Sequence, residues 1–197
     1  MTIRQALPGQ ASEIATLMME AMNAECCQNL AGPHHTLADF HDLLTALVSR
    51  QGTQYSYANT LVALSDDGRL MGIAISYDGA NLLRLRQAFI DEARERLQMD
   101  HSVMAPETEA GELYLDSLCV VADFRHQGVA TALIRATEQK ARRLGISKVG
   151  LLVDKGNPRA ERLYRSLGFQ FVNDTAWGGH AQRHLQLDVD GPSSADE

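Results

Sequence analysis

The 197-residue sequence has no run close to the roughly 18 uninterrupted apolar residues that a membrane-spanning helix requires. Its opening places Arg4 inside a short mixed run and lacks a basic stretch followed by a hydrophobic signal core, so a cytoplasmic protein with no membrane association is expected. Cysteine is scarce. Cys26 and Cys27 are adjacent and poorly placed to bridge each other, and Cys119 sits in an apolar run that reads as a buried strand, so no disulfide framework is expected. No Cys/His spacing resembles a zinc site, and His34-His35 in a proline-containing loop reads as a solvated turn, so no metal is expected either. Internal repeats and low-complexity tracts are also lacking. With 45% apolar content the chain can bury one substantial α/β core, read as one domain over residues 1–190 with a frayed polar tail at 191–197.

Positive charge is scarce everywhere but in one segment. The net charge is −7, yet ten Lys or Arg face three Asp or Glu between Arg125 and Arg165. That segment contains a glycine turn, which points to a polyphosphate ligand, while the acidic remainder disfavours nucleic acid and favours a cationic substrate.

The first half reads as a strand over 2–6, a helix with Ile14, Leu17, Met18, Ala21 and Met22 on one face, and a second helix carrying Phe40, Leu43, Leu44, Leu47 and Val48, stopped by Gly52. Strands at 60–64 and 70–76 flank Asp66-Asp67-Gly68, a hairpin turn, and should be antiparallel. Residues 82–97 present Leu82, Leu85, Phe89 and Ala93 as a helical face; their charged residues form either a solvated outer side or a substrate lid.

The second half begins with a strand over 112–121 and a helix over 128–144, with Ala130, Leu133, Ile134, Thr137, Ala141 and Leu144 inward and Gly145 as its stop. A buried strand over 148–153 follows, then a short helix opened by Asn157-Pro158, lined by Ala160, Leu163, Tyr164 and Leu167, and closed by Gly168. Strands near 169–172 and 183–189 flank a loop containing Trp177-Gly178-Gly179-His180. A strand, helix, strand order implies one parallel pair within a mixed, mostly antiparallel α/β sheet flanked by helices.

Arg125-His126-Gln127-Gly128-Val129-Ala130 falls at the strand-to-helix junction, where unpaired N–H groups and the helix dipole make an anion site. A dinucleotide fingerprint is ruled out, because Gly128-Val129-Ala130 lacks its two further glycines. The six residues resemble the Arg/Gln-x-x-Gly-x-Gly/Ala signature of the GNAT acetyltransferases, preceded by a similar strand at Leu118-Cys119-Val120 and followed by a second similar mark at Asn157-Pro158-Arg159-Ala160, Leu163-Tyr164 and Leu167-Gly168-Phe169.

That resemblance implies a GNAT fold and an acetyl-CoA-dependent N-acetyltransferase acting on a primary amine of a small molecule or peptide. By resemblance, Leu118, Cys119 and Val120 bind the pantetheine arm through their backbone, Arg125 to Ala130 hold the pyrophosphate, Asn157 and Ala160 contact the cofactor, and Tyr164 protonates the departing thiolate. The Val120 N–H becomes an oxyanion donor, which needs a local splay of the sheet. Direct attack of amine on thioester is implied, so Cys119 is not expected to be a nucleophile. Glu112 and Asp116 share a face with Tyr114, Leu118 and Val120 if the strand keeps its period of two. Each either relays the amine proton or serves as a structural acceptor. Trp177, His180, His184, Tyr77 and Asp78 stand open between an acceptor pocket and no special role. A non-catalytic acyl-CoA-binding module and a purely structural domain are the alternatives, and the chain is either a monomer or a homodimer.

Overall fold

In the computed structural model, which describes residues 1–189, the expected elements form together with one further helix, α2, in the order β1 (Thr2–Gln5), α1 (Ala11–Met22), α2 (Ala24–Ala31), α3 (Leu37–Val48), β2 (Thr60–Leu64), β3 (Leu70–Asp78), α4 (Leu82–Leu97), β4 (Leu113–Val120), α5 (Val129–Leu144), β5 (Lys148–Asp154), α6 (Pro158–Ser166), β6 (Gln170–Trp177) and β7 (His180–Asp188). The strands make one sheet in the order β1-β2-β3-β4-β5-β7-β6. Every pairing is antiparallel except β4 with β5, which the α5 crossover forces to be parallel. Tail residues 191–197 lie outside those described. Among the described residues no helix is long and apolar enough to cross a membrane.

Two apolar layers cover the sheet. On one face α1, α3 and α4 bury Ile14, Met18, Phe40, Leu43, Leu44, Leu47 and Phe89 against Val62, Ile73 and Ile75. On the other, α5 brings Val129, Leu133, Ile134 and Ala141 onto Leu113, Leu115, Val149 and Leu151, and α6 adds Ala160, Leu163, Tyr164 and Leu167. The amphipathic spacing of these helices, three to four residues between inward positions, is what allots each to a face.

Five expectations need correcting. A helix missed in the sequence, α2, is capped by Asn23, whose side chain accepts from the Cys26 N–H; its eight residues are too few for an apolar period to stand out. In α1 Met22 packs against the core as expected while also bordering a cleft, but Ala21 is exposed and turns to that cleft instead. Leu144, at the fraying end of α5, is 56% exposed. The region around Trp177 is no loop, because Gly178 and Gly179, both at positive φ, make the two-residue turn of a hairpin that extends β6 to Trp177 and starts β7 at His180. Nor are the charges of α4 all solvated: Arg86 is 2% exposed, pairs with the buried Glu107 carboxylate, and donates to the carbonyls of Met104 (3.0 Å) and Ala105 (3.1 Å). With Leu82, Phe89, Ala93 and Leu97 all buried, α4 is a core helix, and the lid reading fails.

Candidate active site

The parallel pair at the centre of the sheet is short. β4 and β5 pair only through Leu113↔Val149 and Tyr114↔Gly150. Beyond that point the strands enclose a cleft of about 750 Å³, bounded also by the α1–α2 junction, the start of α6 and the β6–β7 hairpin. The separation begins at a β-bulge. Between β3 and β4 the register steps from Ile75↔Ser117 to Ser76↔Leu115, which leaves Asp116 as the extra residue.

That single residue resets the faces of the strand. Leu113 and Leu115 before it, and Leu118 and Val120 after it, all join the α5–α6 layer, whereas Tyr114 stacks edge-on with Tyr77 across the sheet. The unbroken period of two expected over Glu112, Tyr114, Asp116, Leu118 and Val120 is therefore incorrect past the bulge. The Val121 N–H donates to the Met71 carbonyl of β3 at 2.9 Å. By the alternation of an antiparallel ladder the Val120 N–H then points away from β3, into the side where β5 no longer pairs.

Two carboxylates four positions apart have separate fates. Asp116 lines the cleft, and its carboxylate accepts from the Tyr77 hydroxyl at 2.9 Å and the Ser117 hydroxyl at 2.9 Å. Burial pushes its carboxyl above its ordinary value, and those two donors and the Arg86 guanidinium only partly offset the rise. Glu112 is 1% exposed and is not among the cleft residues. It reaches across Gly150, where any Cβ would collide with its carboxyl, and accepts from His184 Nε2 (2.8 Å), Gln186 Nε2 (2.7 Å) and the Thr108 hydroxyl (2.6 Å). Burial alone would raise Glu112, but these donors outweigh it and hold the carboxyl below its ordinary value. His184 is thereby drawn away from the cleft, while His180, Trp177 and Gln182 remain on its wall.

The turn into α5 has the features of an anion site; none of its residues lines the cleft, and it is joined to the cleft wall through Arg159 at the start of α6. Gly128, at φ +82°, is the residue before the first helical turn, and the first intrahelical bond there runs from Ala132 to Gly128, so the N–H groups of Val129, Ala130 and Thr131 have no intrahelical acceptor. A Cβ on Gly128 would meet nothing within 4 Å, so open space lies beside the turn. The Arg159 guanidinium donates to the His126 ring at 2.6 Å, setting a cation beside those N–H groups. Arg125 is differently employed. Its Nε donates to the Val120 carbonyl at 3.0 Å and its guanidinium pairs with Glu20, while Gln127 donates to the Asp123 carbonyl at 2.9 Å. These two side chains brace the turn and leave its backbone free.

Asn157 caps α6 by accepting from the Ala160 N–H at 3.1 Å, and Asn157, Ala160, Leu118 and Tyr164 all line the cleft. Tyr164 is half-buried against Phe169, and burial pushes its phenol up to about 12, so it stays protonated at neutral pH. Cys119 points into the α1–α3 layer, and burial raises its thiol to about 11. A thiol held protonated in that layer is a poor nucleophile. The cleft also contains residues that sequence reasoning passed over: Glu20, Asn23, Cys26, Tyr55, Glu107 and Asp154. They come from separate elements, and only folding brings them together; the open question over Tyr77 is answered by its bond to Asp116.

A sheet opened at its one parallel pair, with an anion turn joined to the opening through Arg159 and ionisable groups inside, defines a class of acyl-transferring enzyme. A family model described as "Acetyltransferase (GNAT) family" matches residues 24–169, well over half of the chain, and the chain belongs to that family. Its reaction is transfer of an acetyl group to an amine. A solved structure described as an acetyltransferase superposes with a TM-score of 0.81 at 26% identity, over 96% of this chain and 100% of that one. The N-acetyltransferase from Staphylococcus aureus Mu50 shares the fold, with a TM-score of 0.77 at 22% identity over 95% of this chain and 100% of that one. The chloroplastic GCN5-related N-acetyltransferase 6 of Arabidopsis thaliana is 37% identical over 59 residues, which span 30% of this chain and 20% of that protein.

Proposed function

We propose that this enzyme acetylates a cationic primary amine, on a small molecule or peptide, by direct attack on acetyl-CoA held in the opening between β4 and β5. The observation that carries the reading is the placement of Asp116 and Tyr164 on the walls of one cleft. The backbone of Leu118 and Val120 lies where β5 no longer pairs and can bond the amides of the pantetheine arm, as an added strand would. The main-chain N–H groups from Val129 to Thr131, with Arg159 and His126 beside them, receive the pyrophosphate. Open space at Gly128 and a cleft of about 750 Å³ fit a ligand of that shape.

The acceptor enters as an ammonium and must lose a proton before it can attack. Glu20, Glu107, Asp116 and Asp154 line the cleft; Arg125 offsets Glu20 and Arg86 offsets Glu107, which leaves Asp116 and Asp154 as the carboxylates that favour a cation there. Asp116 takes the amine proton, and its raised proton affinity suits that task better than an ordinary carboxylate would. The Val120 N–H stabilises the developing oxyanion. Tyr164, protonated at neutral pH, returns a proton to the departing sulfur. Glu112 takes no direct part. Three buried free thiols support a reducing, cytoplasmic setting, and the reaction as drawn needs no metal.

A panel of primary amines incubated with acetyl-CoA and read as free thiol tests the reading, paired with melting curves in millimolar coenzyme A. Thiol release on cationic amines above neutral ones is expected. A melting shift without thiol release on any amine would favour a non-catalytic binding module, and no shift at all would defeat the acetyl-CoA assignment.

A further inference from the structure

Behind Asp116 lies a buried polar chain that the proposed reaction does not by itself require. The Tyr77 hydroxyl stands 2.9 Å from Asp116 Oδ2 and 3.2 Å from Glu107 Oε1, between two carboxylates. Tyr77 is 2% exposed and Glu107 7% exposed, so neither obtains its partners from bulk water. The other oxygen of Glu107 pairs with Arg86, which also fixes the carbonyls of Met104 and Ala105. The segment between α4 and β4 is thus pinned from below, with its carboxylate aimed at one phenol.

We propose that Tyr77 is a positioning residue that works as a donor switch, giving its hydroxyl proton to Asp116 before the amine is deprotonated and to Glu107 afterwards. The inference rests on Asp116 being the base. A phenol has one proton to donate and lone pairs with which to accept. While Asp116 is ionised, Tyr77 donates to it, with Glu107 as a second, longer acceptor. Once Asp116 carries the amine proton it becomes a donor to the Tyr77 oxygen, and the hydroxyl rotates to Glu107. Only one proton is transferred, from the amine nitrogen to Asp116; the hydroxyl proton changes acceptor without leaving its oxygen. Arg86, paired with the other oxygen of Glu107, holds that carboxylate in place as the second acceptor. Without the switch, protonated Asp116 would face a donor with no acceptor to receive its own proton, a buried mismatch that raises the barrier.

The groups facing Asp116 are Tyr77 from β3, Arg86 from α4, Glu107 from the α4–β4 segment, Tyr55 ahead of β2, and Tyr114 and Ser117 on β4 itself. The Tyr77 bond pulls the Asp116 carboxyl down, against the burial that pushes it up. Tyr77→Phe keeps the ring packed on Tyr114 and removes only the switch.

The test is the pH profile of turnover at saturating acetyl-CoA for wild type, Tyr77→Phe, Glu107→Gln and Asp116→Asn, with a carbon-13 NMR titration of the Asp116 carboxyl in the unliganded protein. For Tyr77→Phe the expected result is an acid limb and an Asp116 titration moved up by about 0.5 to 1 pH unit, the size one hydrogen bond carries. Plateau turnover should fall about three- to tenfold with KM for acetyl-CoA unchanged. Glu107→Gln, which leaves a weaker second acceptor, should lower the plateau in the same direction. Superimposable profiles and titrations for wild type and Tyr77→Phe, with Asp116→Asn inactive, would overturn the switch and leave the base. Full activity in Asp116→Asn would overturn both. Should Tyr77→Phe fail to fold, an unchanged plateau in Glu107→Gln decides against the switch.

Discussion

The two halves of β4 obey different rules. From Leu113 to Leu115 the strand lies between partners, β3 on one side and, at its first two residues, β5 on the other. From Asp116 to Val120 it keeps β3 alone, and its other edge borders the cleft. Backbone N–H and C=O groups must find partners somewhere, so a strand that loses its neighbour needs water or a ligand in its place. The side chains follow the same division. Glu112, at the paired end, has three donors and is held as a carboxylate that joins β4 to β7 across Gly150. Asp116, at the open end, is half-buried on the cleft wall with two donors and has its carboxyl raised. On the proposed function, stability resides in one half and chemistry in the other.

The largest effect expected from breaking that division is Asp116→Asn, which keeps the shape of the side chain but removes its ability to accept the amine proton. Turnover should drop by about 10² to 10⁴ while the melting temperature holds or rises. Steady-state kinetics beside a melting curve check it; a variant within threefold of wild type would remove Asp116 from the reaction. Next comes Glu112→Ala, which strands His184, Gln186 and Thr108 without their shared acceptor and should cost about 2 to 4 kcal/mol of stability. Urea unfolding measures that loss, and turnover per folded molecule should stay within a few-fold. A Glu112→Ala protein as stable as wild type yet inactive would reverse the roles assigned to the two halves.

Third in size is Tyr164→Phe, a probe of the opposite wall. It preserves the ring against Phe169 and removes the phenolic proton, so turnover should fall at least about tenfold, with acetyl-CoA affinity little changed and stability lower by about 1 kcal/mol. Turnover within twofold of wild type would leave Tyr164 as a packed aromatic.

Most of the frame was legible in the sequence because its signals are local. The Asp66-Asp67-Gly68 turn fixes the β2–β3 hairpin, and Asn157-Pro158 opens α6 by cap and first-turn proline. The turn at Gly128 was equally visible, since glycine before a helix leaves a mark in the residue string. The bulge at Asp116 was not. It is one residue of excess length relative to β3, and nothing within β4 announces what its partner's register will be. An unbroken period of two therefore placed Leu118 and Val120 beside Tyr114, on the wrong face. The sequence left Glu112 open between two roles for a related reason: its donors lie on β7 and before β4, and Gly150, the residue that lets it pass, gives no sign in sequence of what crosses it. Tyr77 and Glu107 stayed open or unseen because 30 residues separate two groups that share one proton.

The smallest expected effect sharpens the comparison most, because the two carboxylates should respond to acid with opposite sign. Glu112 has its folded-state carboxyl held below the ordinary value of 4.5. Its stabilisation is therefore complete above that pH and is lost as pH falls through the lowered value, because the unfolded chain binds the proton first. Asp116 has its carboxyl raised above the ordinary value of 3.8, so the folded chain binds the proton first. Its ionisation costs stability at neutral pH, and that cost is relieved as pH falls toward 3.8. The measurement is unfolding free energy from neutral pH down to the acid limit of folding, taken as wild type minus Glu112→Gln and wild type minus Asp116→Asn, so that all other carboxylates cancel. The first difference should be positive and shrink on acidification. The second should be negative at neutral pH and climb toward zero. Two differences that run parallel with pH would mean that the paired and open halves of β4 hold their carboxylates alike, and the division between a structural end and a chemical end would not stand.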